Sequence, residues 1–536
     1  MTEMPLVLSR LADALNISVK PQPLAETMPI WAFRVDLSRL RLKLGDKTPC
    51  IWLDADVLRQ HAPAQLRSFL VESIIAQGWQ RRNTLIVADG DVTDLKVLCR
   101  GEGLGLIVLD QAAQARITSA PAISRALVEE MSREVPISLL APYETSRPVT
   151  GEQFFGREAE LRHLLQNASG SVLITGNRRM GKTSLAREAL RRAARRSPAL
   201  DAHVYIDCSV IRSRLDLYAE IMRGLGMSRE VERVYRDNTF SMQHFLQRTA
   251  RAKGERLMLV LDEVDGLLEW DARDGWQVLA MFRGLTSPVT APFEASAPSP
   301  PSPGQPARPA ATTQRGEEGQ PLRLILAGFR LAAQRALDHE SPLFNFVQTL
   351  QVSNFSQADV EQLVIEPMLN LGISFSDRSA LIARIQHETG GQPNLVQHYC
   401  QFIVHRLEHS GSREATPAAL DAALGDAALR RRIAGEMFQN TTNLEQFIVL
   451  GYIQHAWLPD QAGNFKVSDA DAWLHQHGAH LFRSDLERAL DALEATGVLV
   501  RHGKTYCFAF AALPHMIVEN YEVGYQIEKI LEEGLT

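Results

Sequence analysis

Short apolar runs alternate with stretches of helical period over residues 1–140. Pro49–Asp54 reads as a strand and Val57–Gln77 as a helix. Thr84–Asp89 and Leu104–Asp110 repeat the strand signal, with helices expected over Val92–Arg100 and Gln111–Arg133. This rhythm predicts a small parallel sheet with helical covers. A second β/α series starts at Phe154 and runs to about Gln351. Ser353–Leu407 shows only helical period. Asn443–Ile517 carries three helical patterns, over Asn443–His455, Asp469–His477 and Ser484–Thr496, and then a two-strand signal around Gly503. The predicted division is 1–140, a linker over 141–151, a core over 152–352, a helical segment over 353–440 and a last domain over 441–536.

One stretch breaks the pattern. Residues 287–321 hold nine prolines among 35 residues and few large apolar side chains. Such a segment buries too little surface to offset its ordering entropy, so it is expected to be a disordered insertion. It separates two strong strand signals, Arg256–Asp262 and Leu322–Ala327. A long surface loop between core strands is tolerable because closure entropy grows slowly with length.

Composition adds exclusions. A chain of 536 residues needs more than one core. Net charge is -6, which gives no global sign of a nucleic-acid binder. Five scattered cysteines fit neither a disulfide framework nor a zinc site. Cys50, Cys208 and Cys507 lie in strand-like runs and are expected to be buried. The N-terminus carries Glu3 where a signal peptide would be basic, and no run is long enough to span a bilayer. The expected location is cytoplasmic, with no membrane partner.

The chemistry concentrates in Ser171–Ser184. An apolar strand leads into Gly176-Asn177-Arg178-Arg179-Met180-Gly181-Lys182-Thr183, and a helical pattern starts at Ser184. This is the spacing of a phosphate-binding P-loop. Glycines let the backbone wrap around phosphate oxygens, and the amides and helix N-terminus supply positive potential. Lys182 is placed to reach the β- and γ-phosphates, and Thr183 to ligate Mg²⁺. A second strand, Leu257–Leu261, ends in Asp262-Glu263. Asp262 is the expected Mg²⁺-shell carboxylate and Glu263 the group that orients or deprotonates water. A third strand, Leu322–Ala327, ends in Gly328-Phe329-Arg330. Arg330 is the nearest candidate for a γ-phosphate sensor. Asp265 reads as a cap of the following turn.

These motifs together resemble the AAA+ superfamily, in the branch that holds STAND signal-transduction ATPases, archaeal-type ATPases and origin-recognition initiators. The resemblance covers about Phe154 to Ile517. Phe154-Phe155-Gly156-Arg157-Glu158-x-Glu160-Leu161 resembles the branch's opening motif, which in the family borders the adenine pocket. Thr389-Gly-Gly-Gln-Pro-Asn-Leu395 resembles the turn of its helical lid, with Gly391 and Pro393 matching. The resemblance therefore implies a P-loop AAA+ core, a helical lid and a C-terminal winged helix; with the small Rossmann-like N-terminal domain that the rhythm of residues 1–140 predicts, the expected fold class is α/β. It implies ATP and Mg²⁺ as ligands. Gly156, Arg157, Gly176–Ser184 and Pro393 would line the nucleotide site. The polar residue that usually ends the third strand is replaced here by Gly328 and Phe329, and the lid helix lacks its usual sensor arginine. Those departures suit a slow switch better than a motor. Arg323, Arg330 and Arg335 are the candidates for an arginine finger.

Three functional readings follow. The first is an ATP-hydrolysing switch that assembles with itself or with a protein partner. The second is a DNA-associated loader, or a regulator of transposition or replication. The third is a nucleotide-binding scaffold without turnover. DNA is the less favoured partner. The expected recognition helix carries Asp485, Glu487, Asp491 and Glu494 against Arg483 and Arg488, and acids there repel phosphates. The run Arg191–Arg196 reads as a solvated helix end, where cations suit the dipole. In the N-terminal domain Asp54, Asp56, Asp89, Asp91 and Asp110 fall at expected strand ends. They read as helix caps, with a Mg²⁺ cluster as the alternative.

Overall fold

The computed structural model describes residues 5–15, 20–23, 30–44, 48–79, 84–101, 106–166, 170–196, 201–236, 241–253, 256–286, 322–438, 441–457 and 463–535. The Pro-rich insertion expected over 287–321 lies outside them. The chain divides into a flanking unit, residues 1–156 with 354–536, and a central unit, residues 157–353.

The flanking unit begins with a five-stranded sheet in sequential order: β1 (Lys20–Pro23), β2 (Trp31–Val35), β3 (Thr48–Leu53), β4 (Leu85–Ala88) and β5 (Ile107–Leu109). β3, β4 and β5 are parallel as expected, but β1 and β2 join antiparallel, so the sheet is mixed. Side chains alternate across it, as the pleat requires. Cys50, Leu85, Val87, Ile107 and Leu109 enter one core. Ile51, Leu53, Ile86, Ala88 and Val108 enter the other, with Leu66, Leu70, Ile74 and Leu95 of the covering helices. Two expected helices are each split by a proline. Pro63 starts Pro63–Ala76 after Ala55–Gln60, and Pro121 separates Gln111–Ser119 from Ile123–Glu134. Proline lacks the N–H that a continuous helix needs and suits a first turn.

The central unit is a five-stranded sheet. It comprises β6 (Ser171–Thr175), β7 (Asp201–Asp207), β8 (Arg256–Asp262), β9 (Leu322–Ala327) and β10 (Val347–Gln351), in spatial order β10-β6-β9-β8-β7. Every pairing is parallel. β6 is buried at all five positions, in keeping with a strand covered on both faces.

The helical segment of the flanking unit comprises Gln357–Asn370, Arg378–Thr389 and Pro393–Ser410. A short parallel pair, β11 (Ser374–Phe375) with β12 (Glu414–Ala415), ties its ends. Helices Asn443–His455, Val467–Gln476 and Arg483–Ala495 then precede a hairpin, β13 (Leu499–His502) with β14 (Thr505–Phe508), which turns at Gly503 with φ 65°. Phe465 bridges antiparallel to Tyr506, adding a third segment beside the hairpin. The core there stacks Tyr452 on Phe508 with ring centroids 4.6 Å apart.

One core is continuous between the N-terminal sheet and the helical segment. Val7, Leu8, Leu127, Met131 and Leu140 share it with Val360, Val364, Tyr399, Ile403 and Leu407. The stretch read as a linker takes part, because Ala141 and Tyr143 are buried there. The Tyr143 hydroxyl donates to the Val364 carbonyl at 3.3 Å, and the Glu144 amide donates to Gln397 at 2.9 Å. At the rim Arg41 pairs with Glu366 at 2.8 Å and Asn370 donates to the Leu40 carbonyl at 2.8 Å. The cysteines are free thiols. Cys50, Cys99, Cys208 and Cys400 are buried, whereas Cys507, expected to be buried, is half-buried on the hairpin.

A shared core predicts shared unfolding. Tyr143→Ala should lower unfolding free energy by about 3–5 kcal/mol, and Tyr143→Phe by about 1 kcal/mol. In chemical denaturation, probes in the N-terminal sheet and in helix Pro393–Ser410 should shift together. A shift confined to one of them would contradict the shared core.

Candidate nucleotide site

The phosphate loop is shaped by its backbone. Gly176, Arg179 and Gly181 have φ of 144°, 62° and 89°. Glycine adopts such angles without a Cβ penalty, so two of the three turns fall where the chain is least strained. A Cβ on Gly176 would stand 2.6 Å from the Val352 carbonyl oxygen, so the loop's first residue has no room for a side chain. The Leu185 amide donates to the Gly181 carbonyl at 2.8 Å, which starts helix Lys182–Arg196 directly on the loop.

Lys182 is 7% exposed. Its Nζ donates to the carbonyls of Gly176 and Asn177, both at 2.8 Å, so the ammonium is held against the loop. Burial pushes its pKa below the ordinary lysine value, against the opposing pull of Glu263, Asp262 and Asp265. Asn177 and Met180 are buried, Arg178 and Arg179 are exposed, and Thr183 and Ser184 lie in the first helical turn.

Asp262 ends β8 and is 2% exposed. Its carboxylate accepts from the Tyr205 hydroxyl at 2.8 Å and from the Glu263 amide at 3.0 Å. Tyr205 comes from β7, the neighbouring strand. Burial, with the Asp262 charge beside it, pushes its phenol upward, so it stays a donor. Glu263 follows with φ 53°, a left-handed turn that a glutamate rarely takes. Its side chain is exposed. Partial desolvation, then the Asp262 charge, raise its carboxyl above the ordinary value.

The tip of β9 is fastened to the same edge. The Val264 amide donates to the Ala327 carbonyl and the Gly328 amide to the Ile174 carbonyl, each at 3.0 Å. Asp265 caps helix Arg330–Leu337 rather than its own turn. It accepts from the amides of Phe329 (2.6 Å), Leu331 (2.8 Å) and Ala332 (3.2 Å). A Cβ on Gly328 would stand 2.4 Å from the Ala332 Cβ and 3.0 Å from Val264, so only glycine admits this closeness. Arg330 opens the helix.

The remaining predicted residues are placed as follows. Arg157, with φ 61°, is buried. Its guanidinium donates to the carbonyls of Ser353 and of Met180 (3.4 Å), and pairs with Glu160 at 3.1 Å. Gly156 and Pro393 belong to the flanking unit. There Gly156 takes φ 64°, and Pro393 opens its helix after Gly390 and Gly391, with φ of 58° and 74°. Of the other finger candidates, Arg323 donates to the Leu165 carbonyl at 3.4 Å and Arg335 pairs with Asp338 at 3.0 Å. In the basic run, Arg191 and Arg192 pair with fully buried Glu188 at 2.6 and 2.8 Å, and Arg192 also with Glu158.

The N-terminal acids serve local roles. Asp54 caps the Val57 amide, Asp91 accepts from Thr93, and Asp110 caps the Ala113 amide and pairs with Lys96. Asp89 accepts from the Trp52 indole at 2.7 Å, and Asp56 pairs with Arg59.

The sequence profile of the AAA ATPase domain matches residues 153–292. Residues 153–292 are an AAA ATPase domain. No curated protein matches the chain in sequence. Among solved structures it is similar to the Walker-type ATPase of Pyrococcus abyssi, at 17% identity over 70% of this chain and 99% of that one, with TM-score 0.46. It is also similar to the Aeropyrum pernix ORC2 protein in its ADPNP-ADP complexes, at 14% identity over 73% and 96%, with TM-score 0.49. Drosophila ORC bound to DNA matches at 13% identity over 72% and 88%, with TM-score 0.35.

Tyr205 and the capping role of Asp265 were missed in the sequence. A tyrosine inside an apolar strand carries no motif, and Asp265 acts on residues 64 to 67 positions away.

The raised Glu263 carboxyl has a consequence for the stability of the AAA ATPase domain. The folded state holds that proton more tightly than the unfolded state, so this group favours folding less as pH rises through its raised value. Glu263→Gln should therefore melt higher than wild type at neutral pH. The advantage should vanish below the ordinary glutamate range, about pH 4. Thermal melts across pH that show no neutral-pH gain would contradict the assigned environment.

Proposed function

We propose that the chain is an ATP-binding and ATP-hydrolysing switch, in which nucleotide at the phosphate loop sets the relation between the two units. The observation that carries this reading is the convergence of the loop, Lys182, Asp262 and Glu263 on one edge of a parallel sheet. Ligands bind at such edges in open α/β folds.

In this reading the amides of Gly176–Ser184 bind the β- and γ-phosphates, and Lys182 neutralises their charge. Arg157 borders the nucleotide. Arg330, at the start of the helix after β9, would sense the γ-phosphate. Thr183 and Asp262 would hold Mg²⁺. Among the described residues no group of three or more His, Cys, Asp or Glu could hold a metal. That suits Mg²⁺, which binds through one or two protein oxygens together with phosphates and water. When bound, Mg²⁺ neutralises charge on the phosphates. Tyr205 positions Asp262. Glu263 takes a proton from the attacking water as its oxygen bonds to the γ-phosphorus and ADP leaves. A raised carboxyl makes it a better base near neutral pH. We assign residues 152–352 to the ATPase core, 353–440 to the lid, 441–536 to the winged-helix domain and 1–140 to a sensor or output module.

Charge weighs against DNA as the trigger. Arg483 and Arg488 of the would-be reading helix pair with that helix's own Glu487 and Asp485. A protein partner or a second copy fits better.

Steady-state ATP hydrolysis by wild type and Glu263→Gln, each with and without duplex DNA, tests the proposal. Turnover should fall about a hundredfold or more in the variant and should not respond to DNA. Undiminished turnover in Glu263→Gln would remove the assigned base. DNA-stimulated turnover would favour a DNA-associated loader.

A further inference from the structure

The end of β9 presents an aromatic ring beside the phosphate loop. Phe329 is half-buried, and three cations of the central unit gather around it. The Lys182 ammonium lies 5.5 Å from the ring centroid, and the guanidinium carbons of Arg178 and Arg330 lie 5.8 and 5.4 Å away. All three distances fall within the range of cation–π attraction. Each cation comes from a different part of the candidate site: the loop, its lysine and the helix after β9.

The ring has little freedom to leave. Its own amide donates to Asp265 at 2.6 Å, and Asp265 also holds the amides of Leu331 and Ala332. Gly328 is fastened to β6 through the Ile174 carbonyl. The backbone under Phe329 is therefore pinned to two neighbouring segments while its side chain faces the cations. Simple filling of space would not require charge: a leucine would serve as well.

We propose that Phe329 is a positioning residue for nucleotide binding. Its electron-rich face holds Lys182, Arg178 and Arg330 together on the side where phosphate charge must be met. The assignment rests on the reading of the loop as an ATP site. Three like charges repel one another, and an aromatic face attracts each of them without adding an anion that would compete with phosphate. The ring offers no hydrogen bond to a water molecule, so its contribution goes to holding nucleotide rather than to speeding its cleavage.

The test separates ring electronics from ring volume. Dissociation constants for ATP are measured for wild type, Phe329→Tyr, Phe329→Leu and Phe329→Met. They are also measured for a protein carrying pentafluorophenylalanine at 329, which keeps the ring's shape and reverses the charge of its face. Thermal melts confirm folding. The aliphatic variants and the fluorinated ring should each weaken ATP binding by about two- to fivefold, while Tyr stays within about twofold. Adding salt should narrow the difference. Wild-type affinity in the fluorinated protein, or equal losses in Tyr and Leu, would overturn the assignment and leave the ring as packing. No ATP binding by the wild type would overturn the nucleotide reading itself, and this assignment with it.

Discussion

The central unit depends on one constraint, the parallel pairing of all five strands. Parallel strands point every carboxyl end at the same edge, so residues far apart in sequence meet there without any further device. Thr175, Asp262 and Ala327 are the last residues of β6, β8 and β9, and the loop, Glu263 and Phe329 follow within two residues. The strand order puts β9 between β6 and β8. The tip of β9 is therefore hydrogen-bonded to both neighbours, through Ile174 on one side and Val264 on the other.

That edge holds charge in an unusual balance. Lys182 is buried yet kept near carbonyls, Asp262 is buried yet satisfied by a phenol and an amide, and Glu263 is exposed yet held above its ordinary carboxyl value. A buried charge is tolerable only when hydrogen-bonded or paired. Glu263 is the member left with an unfavourable environment, and it stands on a left-handed backbone. Strain and raised pKa at the same residue are expected where chemistry is performed, because both cost stability that a purely structural position would not retain.

Much of this was legible in the sequence for physical reasons. The loop declared itself because its glycines, lysine and threonine sit at fixed spacings dictated by backbone wrapping. β8 and β9 declared themselves through the apolar runs Leu257–Leu261 and Leu324–Ala327, which suit strands covered on both faces. Other features were not legible. β1 and β2 carry too short a pattern to signal an antiparallel extension, and β1 contains two prolines. Tyr205 and Asp265 act through tertiary contacts that no local period encodes. The stretch around Tyr143 looked like a linker because prolines and a glycine surround it, yet its apolar side chains join the N-terminal sheet in one core with residues more than two hundred positions downstream.

That core gives the N-terminal sheet a mechanical meaning. It is packed into the helical segment of its own unit through Tyr143, Arg41 and Asn370, so it does not hang on a tether. A change in the helical segment would therefore be passed to the sheet as motion of packed elements, the kind of coupling that close-packed cores transmit. Nucleotide binding at the phosphate loop is tested most directly by titrating ATP into wild type and into Lys182→Ala, with folding checked by circular dichroism. Removal of a charge-assisted contact should weaken binding by about ten- to a hundredfold. Equal affinity in the two proteins would contradict the account.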